Sequence, residues 1–514
     1  MPVETDQSSS KTGADQGRWR EILGRRHRRV VAVLAGGVGL YATNVFLTTS
    51  LLPAAVEEIG GDRFYAWVTT VFLLASVISS TLVSAVLPRL GARNAYYAAL
   101  GLFALGTAAG AAAPGMEVLL AGRFVQGLGG GLLCGLGYAL IRSVLPERLW
   151  ALGTALVSGM WGVGTFLGPA AGGAFAQADM WRGALVALLV ATLLLTVLVP
   201  LAVDGTRAGD VPPAASPLTI ALLTCSVLLV SLGNLVGSTP VLVALLVAAA
   251  LGLTLAFAWD RRRGGQVLPR SAFSRSSPLP WCYATIALLS VASQMEAFIP
   301  LFGQRLAGLA PLLAGFAGAA IALGWTLGEI PSAGATRPRT KSLVTSGAPL
   351  LVTAGYLTAG LLVVEAMGSL ATLVWVVALL VGGAGIGIAW PHVTTRVMGG
   401  VTAEHEGETA AAAINTVQLV SNAVGSAVVG VLVHLGGPAP QGQARVALCG
   451  IALTGLLGAW CAWRATAAWR NSAGPRPSPE AGQPVSSSEA GQPVSSPETG
   501  RPVPCATDGA DGTP

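Results

Sequence analysis

Long runs of apolar residues recur along the chain from Val30 to Trp463, and the short stretches between them hold most of the charges. Each run has about 20 residues, the length that an α-helix needs to cross a bilayer's hydrocarbon core. The pattern predicts an all-α polytopic membrane protein with fourteen spans. They are residues 30–53, 65–87, 95–113, 117–141, 151–175, 183–203, 218–236, 240–258, 281–302, 309–333, 345–364, 369–391, 409–434 and 444–464.

The spacing of these spans predicts two six-helix bundles with two further helices between them. A twelve-span arrangement without the pair at 218–258 also has an even number of spans and remains an alternative. The predicted segments are a basic cytoplasmic tail at 1–29, an N-terminal bundle at 30–203, a cytoplasmic linker at 204–217, two additional transmembrane helices at 218–258, a basic cytoplasmic loop at 259–280, a C-terminal bundle at 281–465 and a cytoplasmic tail at 466–514 that is expected to be disordered.

Composition agrees with this class, because 53% of the residues are hydrophobic and only 11% are charged, whereas soluble domains have about 25% charged residues. The net charge of +6 comes from arginines and lysines that concentrate in alternate loops. Because basic loops remain in the cytoplasm, the alternation predicts a multi-pass protein of the cytoplasmic membrane with both termini inside. The basic balance therefore gives no reason to expect a nucleic-acid partner.

An arginine lies inside the fourth predicted span. Arg123, Gln126 and Gly127 are spaced i, i+3, i+4, which places them on one helical face. An arginine at the centre of a membrane helix costs about 3 kcal/mol on insertion scales, so Arg123 should face protein or a water-filled cavity. Two roles stay open: proton relay or gating with Gln126, and a tie to backbone carbonyls of a neighbouring helix.

Carboxylates are rare within the spans, so each is a candidate protonation site. Glu296 is expected in the outer half of the membrane and Glu329 near its cytoplasmic side, so the two cannot share a proton. For Glu296, a role in proton coupling or substrate binding competes with a structural hydrogen bond or a place in the outer vestibule. For Glu329, a role as a protonation site competes with that of a carboxylate that reaches the aqueous interface.

Glycines at i, i+4 spacing predict close helix packing in spans 4 and 5. We call Gly127, Gly131 and Gly135 the first glycine ridge, and Gly164, Gly168 and Gly172 the second. Gly173 follows the second ridge directly, and Pro169 interrupts it. Proline removes a backbone donor, so Pro169 is expected to bend span 5. Packing surfaces of this kind can also move during a conformational change.

Polar side chains on two other spans are candidates for a substrate cavity. Asn415, Gln418 and Asn422 recur at helical spacing on one face of span 13. They are expected either to line the cavity or to join two helices by amide hydrogen bonds. Tyr41 and Asn44 in span 1 are similar candidates, and Trp161 could stack on a flat lipophilic ligand.

Two motifs resemble those of a known family. Leu120-x-x-Arg123-x-x-Gln126-Gly127-x-Gly129-Gly130 resembles the fourth-span motif of major facilitator superfamily transporters. Gly164-x-x-x-Gly168-Pro169-x-x-Gly172-Gly173 resembles the fifth-span motif of their drug:proton antiporters, and the six, two, six arrangement is similar to the fourteen-span antiporter family. The resemblance implies alternating access between two six-helix halves, driven by protons.

The chain departs from that family pattern at two places. After span 2, Pro88 stands where the family has an aspartate, although Arg89, a gating candidate, is kept. In span 1, Tyr41-Ala-Thr-Asn44 stands where many members have an acidic residue. These departures leave Glu296 as the main candidate for proton coupling.

The sequence therefore predicts a secondary active transporter that exports lipophilic or amphiphilic small molecules, as a drug or natural-product efflux pump. Its expected partners are the substrate, protons and the lipid bilayer, and it is expected to act as a monomer without cofactor, metal or catalytic chemistry. No Gly-x-x-x-x-Gly-Lys-Ser/Thr motif for nucleotide binding is present. The alternatives are a facilitator or a lipid or metabolite carrier with weak coupling, and a membrane scaffold that transports nothing.

Overall fold

Apolar helices make up most of the fold, as the hydrophobic pattern predicts. The computed structural model describes residues 19–25, 27–61, 64–203, 216–233, 239–274, 277–401 and 404–472, and this part contains no β-strand. Its helices are α1 (Trp19–Ile22), α2 (Arg28–Ile59), α3 (Tyr65–Thr81), α4 (Val83–Ala111), α5 (Met116–Val144), α6 (Trp150–Gln177), α7 (Trp181–Leu198), α8 (Pro217–Gly233), α9 (Thr239–Arg262), α10 (Leu279–Ser293), α11 (Ile299–Ala307), α12 (Pro311–Ala333), α13 (Pro338–Leu362), α14 (Ser369–Gly399), α15 (Glu404–Leu435) and α16 (Pro440–Ser472).

Ten helices in this part of the chain are long and apolar enough to cross a membrane, and two bent pairs, α3 with α4 and α10 with α11, raise the count to twelve. The predicted fourteen further requires α3 and α4 to be separate spans and α8, with 17 residues, to cross as well. A kink within α4 agrees with the predicted division, because Gly91 has a non-helical backbone with φ 74° and ψ 161°. Glycine adopts this positive φ without steric cost.

Two sets of helices pack mainly among themselves. In the first set α2 lies against α6, and α5 lies against both α3 and α4. In the second, α14 lies against α12 and α13, and α13 lies against α16. The sets meet where α15 contacts α3 and α5 and where α6 contacts α12 and α14. The additional helix α8 contacts α3, α15 and α9.

Several helix limits differ from the predicted boundaries. The span predicted at 281–302 is not one helix, because the 3₁₀ turn Gln294–Ala297 separates α10 from α11, which are bent by 42°. The predicted loop 259–280 begins with the last turn of α9, and the predicted tail 466–514 begins with the last turns of α16. Most of the predicted linker 204–217 and residues 473–514 lie outside the described residues.

Candidate functional site

A hydrogen-bonded cluster surrounds Arg123 inside the first set of helices. The Arg123 Nε donates to the Val68 carbonyl of α3 at 3.2 Å. Its Nη1 donates to Asn44 Oδ1 of α2 at 3.0 Å and to Gln126 Oε1 at 2.5 Å. Gln126 Nε2 in turn donates to Thr107 Oγ1 of α4 at 2.8 Å. The cluster therefore joins four helices, because the guanidinium links α5 to α2 and α3 and the Gln126 amide links α5 to α4.

The guanidinium of Arg123 is buried without a carboxylate. Arg123 is 4% exposed, Gln126 1% and Asn44 0%, and within the described residues Arg123 forms no ion pair. The Phe72 ring lies under the charge at 4.2 Å from its centroid. Neutral oxygens and an aromatic face thus replace a counter-ion. This arrangement includes the predicted tie to a backbone carbonyl, and it places Asn44 in the Arg123 cluster and not on an open cavity wall.

Gly127 and Gly131 of the first glycine ridge pack against α3, and Gly135 packs against Val83 at the start of α4. A Cβ on Gly127 would lie 2.8 Å from the Ala75 Cβ, and one on Gly131 would overlap the Ser76 carbonyl oxygen. Ser76 Oγ also donates to the Gly127 carbonyl at 3.1 Å. Since the absence of side chains lets the two backbones approach, the ridge fixes the distance between the helix that holds Arg123 and the helix that accepts its hydrogen bond.

The second glycine ridge packs against α2. Cβ atoms on Gly164, Gly168 and Gly172 would lie 2.7 Å from Ala42, 2.5 Å from Phe46 and 2.7 Å from the Leu47 carbonyl oxygen. The packing role predicted for Gly173 is wrong, because a Cβ there would meet nothing within 4 Å. Helix α6 continues through Pro169 to Gln177 without a break.

Glu296 lies at the break between α10 and α11. It belongs to the 3₁₀ turn Gln294–Ala297 and is partly exposed. Its carboxylate has neither a hydrogen-bond nor an ion-pair partner in the part of the chain that the structure describes. Irregular backbone at membrane depth occurs where it is buried in protein or lines a cavity. The predicted structural hydrogen bond of Glu296 is therefore not observed, which leaves its carboxylate free to take part in binding or proton exchange.

Glu329 joins the two sets of helices. Its side chain is 0% exposed. The Ser158 hydroxyl of α6 donates to one carboxylate oxygen, and the Trp325 indole donates to the other at 3.0 Å. The interpretation of Glu329 as a carboxylate that reaches the aqueous interface is thus wrong, because both oxygens are held within protein.

Three further contacts cross between the same sets. The Trp390 indole of α14 donates to the Tyr138 hydroxyl of α5 at 3.3 Å. The guanidinium of Arg142, at the end of α5, donates to the Met398 carbonyl of α14. These contacts were missed by sequence reasoning, although Arg142 was visible as a basic residue at the end of a span.

The third crossing contact involves a predicted cavity residue. Asn415 Nδ2 of α15 donates to the Ser80 hydroxyl of α3 at 3.0 Å, and Thr416 lies 2.9 Å from the same hydroxyl. Asn415 thus joins two helices by an amide hydrogen bond, which is one of the two roles expected for this helix face. Gln418 and Asn422 do not show this role, because the Gln418 Oε1 and the Asn422 Oδ1 are buried without a hydrogen-bond partner in the described residues.

Tyr41 and Trp161 touch each other inside the first set of helices. Their ring centroids are 5.5 Å apart in an edge-to-face arrangement, and Tyr41 also lies 5.3 Å from Phe72. Tyr41 is 0% exposed, while Trp161 is partly exposed. The aromatic group therefore connects the Arg123 cluster, through Phe72, with the more accessible indole of Trp161.

Arg89 is not brought together with the other candidates. Among the described residues its guanidinium donates only to the Ala85 carbonyl of its own helix, at 3.4 Å, and the side chain is exposed. Arg142, in contrast, contacts the second set of helices through the Met398 carbonyl. Arg93 is directed elsewhere, since its Nε donates to the Val203 carbonyl at 3.0 Å.

Sequence reasoning also missed a glycine contact in the second set of helices. Gly324 and Gly328 of α12 face α14, while Gly383 and Gly387 of α14 face α12. A Cβ on Gly328 would lie 2.7 Å from the Ala384 carbonyl oxygen, and one on Gly387 would overlap the Trp325 carbonyl oxygen. The i, i+4 spacing was visible in both helices. This contact places Trp325, and with it the hydrogen bond to Glu329, at a fixed position.

Comparison with known proteins identifies relatives along most of the chain. The sequence matches the profile of the Major Facilitator Superfamily over residues 34–426. It is 46% identical over 433 residues to a probable multidrug-efflux transporter of Mycobacterium tuberculosis, an alignment that covers 83% of this chain and 91% of the relative.

Two solved structures have a similar fold. A human organic anion transporter superposes with a TM-score of 0.62 at 18% identity, covering 85% of this chain and 99% of its own. A variant of the E. coli fucose:proton symporter superposes with a TM-score of 0.55 at 14% identity, covering 84% and 98%. At these identities the likeness concerns the fold alone.

Proposed function

The chain belongs to the Major Facilitator Superfamily, and from this premise we propose that it exports lipophilic or amphiphilic small molecules across the cytoplasmic membrane in exchange for protons. The relative from Mycobacterium tuberculosis, a probable multidrug-efflux transporter at 46% identity, supports export as the direction of transport. The observation that supports coupling most directly is the unpartnered carboxylate of Glu296 at the broken span. No catalytic step is needed for this activity.

Contacts at one end of the molecule support alternating access. Ser158 with Glu329, Tyr138 with Trp390, and Ser80 with Asn415 all cross between the two sets of helices. Each lies towards the helix ends that basic loops predict to be cytoplasmic. We propose that these contacts form the closed cytoplasmic gate of an outward-facing state. Opening the gate would separate Glu329 from Ser158 and expose the carboxylate to water on the cytoplasmic side.

The binding site is proposed to lie between the Arg123 side and the α15 side of the molecule. The partly exposed Trp161 supplies an aromatic surface in the first set of helices. The unpartnered amide oxygens of Gln418 and Asn422 supply acceptors in the second. Few polar groups on a largely apolar wall are typical of sites for lipophilic ligands. This composition supports binding by shape and hydrophobic contact, with the amides orienting any donor on the substrate.

Transport in proteoliposomes tests the coupled mechanism. We expect an amphiphilic fluorescent dye to accumulate in inverted-orientation vesicles when their lumen is acidic, because protons leaving the lumen would drive dye entry. Dissipation of the pH gradient with a protonophore is expected to lower the initial rate at least tenfold. Equal rates with and without the gradient contradict antiport and favour the facilitator. An absence of both dye movement and dye binding favours the scaffold.

Replacement of Glu296 with glutamine tests the proton site separately. Glu296→Gln is expected to lower gradient-driven export at least tenfold while substrate affinity stays within about threefold, because glutamine keeps the volume and polarity but cannot exchange a proton. Glu365→Gln is the matched control, since Glu365 lies exposed in the connection between α13 and α14. The rates are measured as a function of luminal pH. Retention of the pH dependence by Glu296→Gln would remove Glu296 from the coupling mechanism.

A further inference from the structure

Four arginines surround a cavity at the end of α9. The cavity has a volume of about 490 Å³ and is lined by Arg261, Arg262, Arg263, Gly264, Arg270, Phe273 and Ser274. Small-molecule sites have volumes of about 300–1,000 Å³. None of the four arginines forms an ion pair within the described residues, so their charges are available to a ligand.

The loop that builds this cavity is ordered by a buried carboxylate. Asp260 is 0% exposed. Its oxygens accept hydrogen bonds from the backbone N–H groups of Gln266 at 3.0 Å, Val267 at 3.1 Å and Leu268 at 3.1 Å. The nearest acidic group in sequence is therefore used to shape the loop, and it does not neutralise the arginines.

Two glycines place Arg270 against the start of the loop. Gly264 and Gly265 have φ values of 96° and 75°, which favour glycine. The Arg270 Nε donates to the Gly264 carbonyl at 2.9 Å. A Cβ on Gly264 would lie 2.7 Å from the Arg270 Nη2, so even a methyl group would displace this guanidinium. The position of Arg270 is thus set by backbone geometry as well as by charge.

The indole of Trp259 indicates the depth of the arginine cavity relative to the membrane. Trp259 is partly buried, its Nε1 donates to the Ser216 hydroxyl at 3.2 Å, and the Arg263 guanidinium lies 5.3 Å from its ring centroid. Tryptophan is enriched where the hydrocarbon core meets the headgroups. Arg261, Arg262 and Arg263 follow Trp259 by two to four residues, which places them at the level of lipid phosphates. The positive-inside prediction assigns this end of α9 to the cytoplasm.

We propose that this arginine cavity binds a phosphate group, supplied by the headgroup of an anionic phospholipid. The planar guanidinium pairs with two phosphate oxygens at once, and basic pockets beside membrane helices on the cytoplasmic side are suited to anionic headgroups. The free ends of the arginine side chains provide the donors, and Gly264 leaves room for the Arg270 guanidinium beside the backbone.

Occupancy of the cavity is coupled by contacts to both sets of helices. Ser84, at the start of α4, donates to the Gln266 carbonyl at 3.2 Å. Ser271 donates to Glu406, near the start of α15, also at 3.2 Å. A ligand that holds the loop in this shape therefore favours the conformation in which both contacts exist. The bound phosphate would stabilise the proposed closed gate without touching the substrate.

Lipid binding to the purified, delipidated full-length protein tests the proposal. Native mass spectrometry with dioctanoyl phosphatidylglycerol, dioctanoyl phosphatidylcholine and inorganic phosphate compares the ligand sources. The wild type is expected to bind phosphatidylglycerol at least tenfold more tightly than phosphatidylcholine. Arg270→Ala is expected to weaken this binding about fivefold or more. Gly264→Ala, which keeps every charge, is expected to weaken it similarly because it displaces Arg270.

Arg339→Ala is the matched control, since it removes an exposed arginine at the start of α13, and it should leave the affinity unchanged. If Arg339→Ala weakens binding as much as Arg270→Ala, or if Gly264→Ala binds like the wild type, attraction is diffuse and the built site is rejected. If inorganic phosphate, and not phosphatidylglycerol, binds the wild type and is bound more weakly by Arg270→Ala and Gly264→Ala, the phosphate site stands and the lipid source is overturned. Thermal unfolding of each variant verifies that the comparison concerns folded protein. The binding measurement does not depend on transport, so a failure to bind this lipid leaves the exporter proposal untouched.

Discussion

Replacement of Arg123 with glutamine is expected to lower transport more than tenfold while leaving thermal stability unchanged or raised. Removing one partner of a buried hydrogen bond costs about 1–3 kcal/mol. Burying an ion without a counter-ion costs several kcal/mol, and Arg123 has no carboxylate partner within the described residues. A neutral glutamine keeps part of the hydrogen bonding and removes the larger cost. We therefore expect that the charge is not needed for stability, and that its loss affects transport.

The measurement combines two readouts on the same preparation. Gradient-driven dye transport reports function, and the unfolding midpoint in detergent reports stability. Arg305→Gln is the matched control because Arg305 is exposed on α11 and has no hydrogen-bond or ion-pair partner in the described residues. A loss of transport with an unchanged midpoint supports proton relay or gating. A large fall in the midpoint that accounts for the lost transport supports the structural tie through Val68 instead.

Arg123→Lys distinguishes charge from geometry at the same position. The guanidinium donates from two different nitrogens, one to Val68 and one to both Asn44 and Gln126. A lysine ammonium is a single point donor on a different stem and cannot reproduce this fork. We expect Arg123→Lys to recover less than half of the wild-type rate if the geometry of the cluster sets the mechanism. Full recovery identifies the positive charge alone as the requirement.

Local sequence patterns predicted the parts of the fold that depend on one helix at a time. The family resemblance from two glycine-containing motifs was confirmed, and so was the all-α class. Helical periodicity placed Arg123, Gln126 and Gly127 on one packed face because that relation depends only on 3.6 residues per turn. The close approach of Gly131 to α3 and of Gly168 to α2 follows from residue size in the same way.

Relations between distant segments could not be predicted. The hydrogen bond between Ser158 and Glu329 joins residues 171 positions apart, and no periodicity in either helix specifies that partner. The break at Glu296 was hidden because apolar residues continue on both sides of it, so the hydrophobic pattern gives no gap. The order of the arginine loop was missed for a related reason. The sequence shows a run of charges, whereas the shape depends on Asp260 accepting three backbone hydrogen bonds.

Substitution of Gly131 with alanine is expected to lower the stability of the folded protein by about 1–3 kcal/mol, the usual cost of overpacking. The new methyl group would overlap the Ser76 carbonyl oxygen and the Ser79 hydroxyl oxygen of α3. Backbone atoms of a neighbouring helix cannot rotate away, so α3 and α5 would have to separate. Membrane helices associate largely through such close contacts, and separation would also stretch the hydrogen bond from Arg123 to Val68.

Gly173→Ala, in the fifth-span motif, is expected to have the opposite effect on stability. A Cβ at Gly173 meets nothing within 4 Å, and alanine is favoured over glycine in a helix by about 1 kcal/mol. Its unfolding midpoint should therefore equal or exceed that of the wild type, with transport retained. Chemical and thermal unfolding of both variants in the same detergent measures the difference. If Gly131→Ala were as stable as Gly173→Ala, close packing on α3 would not explain the first glycine ridge, and a motif of glycines could not by itself be used to infer a helix contact in this protein.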